Sequence, residues 1–125
     1  ASTTLAVEGR GVAGTLVLPD QMNPRGPLAI CLHGIGCDGR YFQLKGNSWV
    51  DAACGRGLPC LVIDRPGYGR SAPARSSPFE SGAAAIHELL HVASRRYPAL
   101  AYRAIALVGH SFGGAVALMA AQSLS

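Results

Sequence analysis

The chain has 125 residues, enough for one domain with a core of its own. Hydrophobic residues make up 49% and charged ones 14%, yet Gly, Pro and Arg interrupt every apolar run before the roughly 18 residues a membrane span needs. The net charge of +4 comes from ten Arg and one Lys scattered along the chain, without the basic, aromatic-interleaved cluster that marks a nucleic-acid surface.

In chain order, "TTLAV" (3–7) and "GVAGTLVL" (11–18) read as short strands joined by the turn Glu8-Gly9-Arg10-Gly11. "DQMNPRGP" is a loop. "LAICL" (28–32) is a continuous apolar run of strand length, as expected of a strand buried on both faces. The Gly-rich loop "HGIGCDGR" follows, then a helix within Asn47–Gly55. "LPCLVID" (58–64) gives another buried strand and "RPGYGRSAPARSSP" a long irregular stretch. Residues 82–97 form an Ala-rich helix, "AIALV" (104–108) a further buried strand, and 112–124 a helix of small residues.

Strands alternating with helices predict an α/β fold with a mainly parallel sheet and flanking helices. In such sheets the functional loops lie beyond the carboxyl ends of the strands. Those ends carry "HGIG", "DRPGYG" and "GHSFGG", which places all three suggestive loops on one edge. Of the four cysteines, Cys31 reads as a small core residue, and Cys37 falls in the Gly-rich loop. Cys54 and Cys60 bracket "GRGLP", and spacing leaves open whether they are bridged. No C-x-x-C pair occurs, which argues against structural zinc. The sequence starts at Ala1 without a signal-peptide pattern, is compatible with a leader already removed, and assigns no compartment.

Gly109-His110-Ser111-Phe112-Gly113 fits G-x-S-x-G, the sharp strand-to-helix turn that presents a serine nucleophile. Gly109 and Gly113 supply the small residues this turn needs, and Gly114 is expected to let the following helix pack on its strand. The helix N-terminus points free N–H groups at developing negative charge.

With "HGIG" (33–36), "DRPGYGRS" (64–71) and "GHSFGG" (109–114) in this order, the chain resembles the N-terminal half of an α/β-hydrolase. The resemblance covers almost the whole of residues 1–125. It implies Ser111 as nucleophile and an oxyanion hole from two backbone N–H groups, those of Phe112 and Ile35. His33 and Gly34 would shape the loop that carries Ile35, and Asp64 would anchor a structural turn. The implied reaction is acyl transfer from an ester, thioester or amide to water, on a small-molecule acyl substrate, with no metal or organic cofactor. A noncatalytic binding or assembly module on the same scaffold is the alternative.

The family's triad runs Ser, then Asp or Glu, then His, but Phe112 to Ser125 contain no His, Asp or Glu. His110 neighbours Ser111 on a tight turn, where consecutive side chains diverge. His33 lacks a clear orienting carboxylate. The acid and base are therefore expected on a C-terminal remainder of the same precursor or on a second chain. That part would be about 100 residues or more, from three strand–helix units of roughly 30 each, and would pair with the free side of the strand at 104–108.

"HELLH" (87–91) is a rival motif, H-E-x-x-H, which supplies two zinc ligands and a general base in many metalloproteases. No carboxylate follows His91 to complete such a site, and the helical phase puts His87 and His91 with Arg95 on a polar flank. They read as solvated surface histidines.

Overall fold

The computed structural model describes residues 2–34, 38, 40, 42, 48–74 and 76–124, with backbone only for 123 and 124. Strands β1 (Ser2–Glu8) and β2 (Ala13–Pro19) form an antiparallel hairpin. Its turn closes through Gly9 N–H donating to the Val12 carbonyl at 2.9 Å, with Gly11 at φ +70°. Strands β3 (Leu28–Leu32), β4 (Cys60–Asp64) and β5 (Ile105–Gly109) follow, and the sheet order is β1-β2-β4-β3-β5. β3 runs parallel to both β4 and β5, whereas β2 meets β4 antiparallel. The parallel part is thus the half that carries the three loops, and the hairpin adds an antiparallel edge.

Successive strand residues face opposite sides of the sheet, and the core divides accordingly. Leu16, Leu28, Ile30, Leu32, Leu61 and Ile63 pack beneath helices α2 (Pro78–Arg96) and α3 (Phe112–Leu124). Val17, Ala29, Cys31, Cys60 and Val62 pack against helix α1 (Trp49–Gly55) on the other side. β3 and β4 are buried along their whole length, as continuous apolar runs require. β5 departs from the expected buried strand: it is half-exposed, with Ile105 at 38%. Among the described residues it pairs on one side only, with β3.

Helix α2 begins at Pro78, four residues before the expected start. Ser77 caps it, its hydroxyl accepting from Glu80 N–H at 3.2 Å, and proline suits the first turn because its missing N–H would have had no partner there. A 3-10 helix at Pro98–Tyr102 links α2 to β5. Cys31, Cys54 and Cys60 are free thiols, and the Cys60 thiol donates to the Leu58 carbonyl at 3.9 Å. The neighbouring Cys60 thiol, and then burial, push the Cys31 thiol far up. Cys37 lies outside the described residues. Among the described residues no helix is long and apolar enough to cross a membrane.

Candidate active site

Because β3, β4 and β5 are parallel, their carboxyl ends bring His33-Gly34, Asp64–Ser71 and Gly109–Gly114 to one edge. Ser111 sits at the sharpest point. It is exposed, and its φ of 55° makes it the one non-glycine with positive φ among the described residues. A β-carbon tolerates that conformation at a cost of about 1–3 kcal/mol. The surroundings impose it. A Cβ on Gly109 would stand 2.5 Å from the Gly113 carbonyl oxygen and from Gly114 Cα, and one on Gly113 would collide with the Leu32 and His33 carbonyls. Gly114 differs from its expected role: a Cβ there would meet Gly109 O at an ordinary 3.7 Å. The close strand–helix approach therefore depends on Gly109, not Gly114.

Phe112 opens α3, where its N–H has no intrahelical acceptor. The turn is tied by Gly113 N–H to His110 O and Gly114 N–H to Ser111 O, both 2.9 Å, and by His110 N–H to Leu32 O at 3.0 Å. Gly34 fits against the elbow so closely that a Cβ there would stand 3.2 Å from both His110 O and Ser111 Cβ. Ile35, the expected second N–H donor, lies outside the described residues.

His33 is fully buried. Its Nε2 accepts from the Arg65 backbone N–H at 2.9 Å, so Nδ1 carries the hydrogen and donates to the Gly34 carbonyl at 2.9 Å. Burial pushes the imidazole pKa below its ordinary value. With both nitrogens engaged and the ring held neutral, His33 shapes its loop and is not placed to move a proton. Nδ1 of His110 is 3.3 Å from where a Gly34 Cβ would sit, which turns it toward the loop.

Asp64 anchors the following turn: its carboxylate accepts from Arg70 N–H at 3.2 Å and lies 3.7 Å from Arg70 Nε. The Ser71 hydroxyl donates to the Asp64 carbonyl at 2.5 Å and accepts from Ala13 N–H at 2.9 Å, binding the turn to the hairpin. The residue to which sequence reasoning gives no role is Arg65. It is 3% exposed, and its Nε–H donates to the His33 carbonyl at 2.8 Å. Its position directly after a buried strand, inside a turn motif, is the only signal the sequence offers.

The rival motif is dispersed in function. His87 and His91 are exposed on α2 and line a cleft of about 280 Å³ with Ser94 and Arg103, where no carboxylate of the described residues lines the cleft with them. Glu88 instead accepts from Arg10 N–H at 3.2 Å, fastening α2 to the hairpin turn. Among the described residues no group of three potential ligands could hold a metal ion.

Residues 29–124 match the family model described as "Alpha/beta hydrolase family". A 2-succinyl-6-hydroxy-2,4-cyclohexadiene-1-carboxylate synthase from Citrobacter koseri is 38% identical over 109 residues, covering 85% of this chain and 38% of that protein. Among solved structures, a predicted CIB-like hydrolase from Thermoplasma acidophilum superposes with a TM-score of 0.72 at 17% identity, over 98% of this chain and 57% of its own. An esterase from M. tuberculosis gives 0.64 at 24% identity, over 98% and 36%. An epoxide hydrolase variant from Vigna radiata gives 0.64 at 20% identity, over 98% and 35%. At these identities the structures share the fold alone. The chain spans little more than a third of the length of most of these relatives.

Proposed function

Since the chain belongs to the alpha/beta hydrolase family, we propose that it is the nucleophile-bearing part of a serine hydrolase. One observation carries the reading: Ser111 is held exposed at φ 55°, on the edge where three parallel strands end and at the start of a helix. Strain of this kind persists only where the surroundings over-determine it, and it clusters at active sites. Ser111 Oγ attacks the carbonyl of an ester, thioester or amide while a base takes its proton. The tetrahedral oxyanion is met by the Phe112 N–H and, in the loop after Gly34, by that of Ile35. Collapse expels the alcohol, thiol or amine, and water then hydrolyses the acyl-enzyme by the same path. This chemistry calls for no cofactor.

Among the described histidines, His33 is locked by bonds at both ring nitrogens, His110 turns its Nδ1 toward Gly34, and His87 and His91 sit exposed on α2 beside Ser94 and Arg103. We therefore infer that the acid and the base lie on a segment that completes the sheet beyond β5, whether a continuation of residues 1–125 or a second chain. The half-exposed β5 and the exposed Leu118 and Met119 of α3 support such a neighbour.

The test is covalent labelling. In the complete assembly a fluorophosphonate should modify Ser111, and Ser111→Ala should remove both labelling and turnover. An unreactive Ser111 there points to the noncatalytic module instead. A second reading starts from the 38% identical relative, which is a synthase: we infer that the same serine could then serve a reaction other than hydrolysis, with or without an acyl-enzyme. Catalysis that needs Ser111 but leaves no acyl adduct on quenching would select it.

A further inference from the structure

Arg65 stands where the three loops of the site meet. Its backbone N–H and its Nε–H both go to His33, one to the ring at 2.9 Å and one to the carbonyl at 2.8 Å. Its guanidinium carbon lies 4.9 Å from the Tyr68 ring centroid and 5.2 Å from that of Phe112. Tyr68 in turn meets the His33 ring edge-on at 5.0 Å. One planar group thus touches the loop before Gly34, its own turn and the residue after Ser111.

The charge itself is the unusual part. Arg65 is 3% exposed, and among the described residues no carboxylate pairs with it. Its Nη2 is buried without a hydrogen-bond partner there. The adjacent Asp64 serves Arg70 instead. A buried cation in this condition is costly, and an apolar side chain of similar volume would pack without that desolvation. The ring faces of Tyr68 and Phe112 offset part of the cost. Negative charge forming nearby would offset the rest of that cost.

We propose that Arg65 is a positioning residue: its buried guanidinium, without a carboxylate partner among the described residues, holds His33 and Phe112 in register and biases the oxyanion site toward negative charge. The inference rests on the proposed role of Ser111. A neutral ester carbonyl gains little from the cation, whereas the oxyanion that forms beside the Phe112 N–H is attracted by the positive charge held against the Phe112 ring. The interaction is therefore stronger in the transition state than in the ground state. Such an interaction acts on kcat and leaves KM alone.

The experiment compares wild type, Arg65→Met and Arg65→Lys in the complete enzyme, using a p-nitrophenyl ester and a fluorophosphonate, with rates expressed per folded molecule from thermal melts. Arg65→Met should slow both kcat and the saturating rate of Ser111 phosphonylation by about tenfold, less than the roughly 100-fold cost of losing a direct donor, with KM within twofold. Arg65→Lys, which keeps the charge and loses the planar fork, should fall between the two. A packing role alone predicts a lower melting temperature with unchanged kcat per folded molecule, and that result overturns the inference. So does a rise in KM at constant kcat. If Arg65→Met does not fold, Arg65→Lys decides: lowered kcat at constant KM upholds the role, unchanged kcat refutes it. A wild-type Ser111 that never reacts overturns the nucleophile and this role together. A reactive wild type with an equally fast Arg65→Met overturns this role alone.

Discussion

At Ser111 the backbone sits where an L-residue is disfavoured, and the strain comes from packing on either side rather than from the serine. Ser111→Gly removes the Cβ from that conformation and should raise stability by about 1 kcal/mol while abolishing labelling. Ser111→Ala keeps the Cβ, and its stability should stay close to wild type. Denaturant midpoints of the complete protein separate these outcomes, and equal midpoints for Gly and Ala would show that the elbow holds no strain. The neighbouring glycines divide just as sharply. Gly109→Ala drives a Cβ into Gly113 and Gly114 and should prevent stable folding. Gly114→Ala meets only van der Waals distance within a helix and should be neutral or stabilising by about 0.5–1 kcal/mol. The glycine pattern was legible in the sequence because only small residues fit such a turn. The division of labour within it was not, since it depends on which Cα faces which carbonyl. Arg65 was hidden for a related reason: a charged residue after a buried strand reads as the start of a solvated loop, and only tertiary packing reveals that it turns inward.

At the level of elements, β3 and β4 were the most legible, because strands buried on both faces are written as unbroken apolar runs. The start of α2 was obscured by "SSPFE": Ser77 and Pro78 read as the end of a loop, although Ser-Pro-x-Glu is also a cap followed by a first turn. The 3-10 helix at Pro98–Tyr102 spans only five residues and left no periodicity to read. α2 also carries the rival H-E-x-x-H, and here the phase was informative: Ile86, Leu89 and Ala93 are buried while His87 and His91 are exposed. Replacing both histidines with Ala should leave activity of the complete enzyme within about twofold, and chelators should have no effect. Loss of activity on EDTA treatment, restored by zinc, would return the motif to the mechanism.

On the scale of the whole molecule, the strands and helices of the described residues cover both faces of the sheet but leave the outer edge of β5 without a paired strand among those residues. β5 is half-exposed, Ile105 is 38% accessible, and Leu118 and Met119 of α3 stand 75% and 50% accessible. A bare apolar strand edge is an aggregation hazard. Residues 1–125 expressed alone should therefore be insoluble or molten, with no sharp near-ultraviolet circular dichroism, and should not react with serine-directed probes. A soluble, cooperatively melting monomer that hydrolyses esters would contradict the need for a completing segment. The central claim is that Ser111 becomes an acylated nucleophile once the sheet is complete. Its most direct test is peptide mass spectrometry of the full-length protein, or of the two-chain assembly, quenched within milliseconds of mixing with a p-nitrophenyl ester. An acyl adduct is expected on the peptide that carries Ser111, formed in a burst with p-nitrophenol release and absent in Ser111→Ala. Steady turnover without any adduct, undiminished in Ser111→Ala, would contradict it.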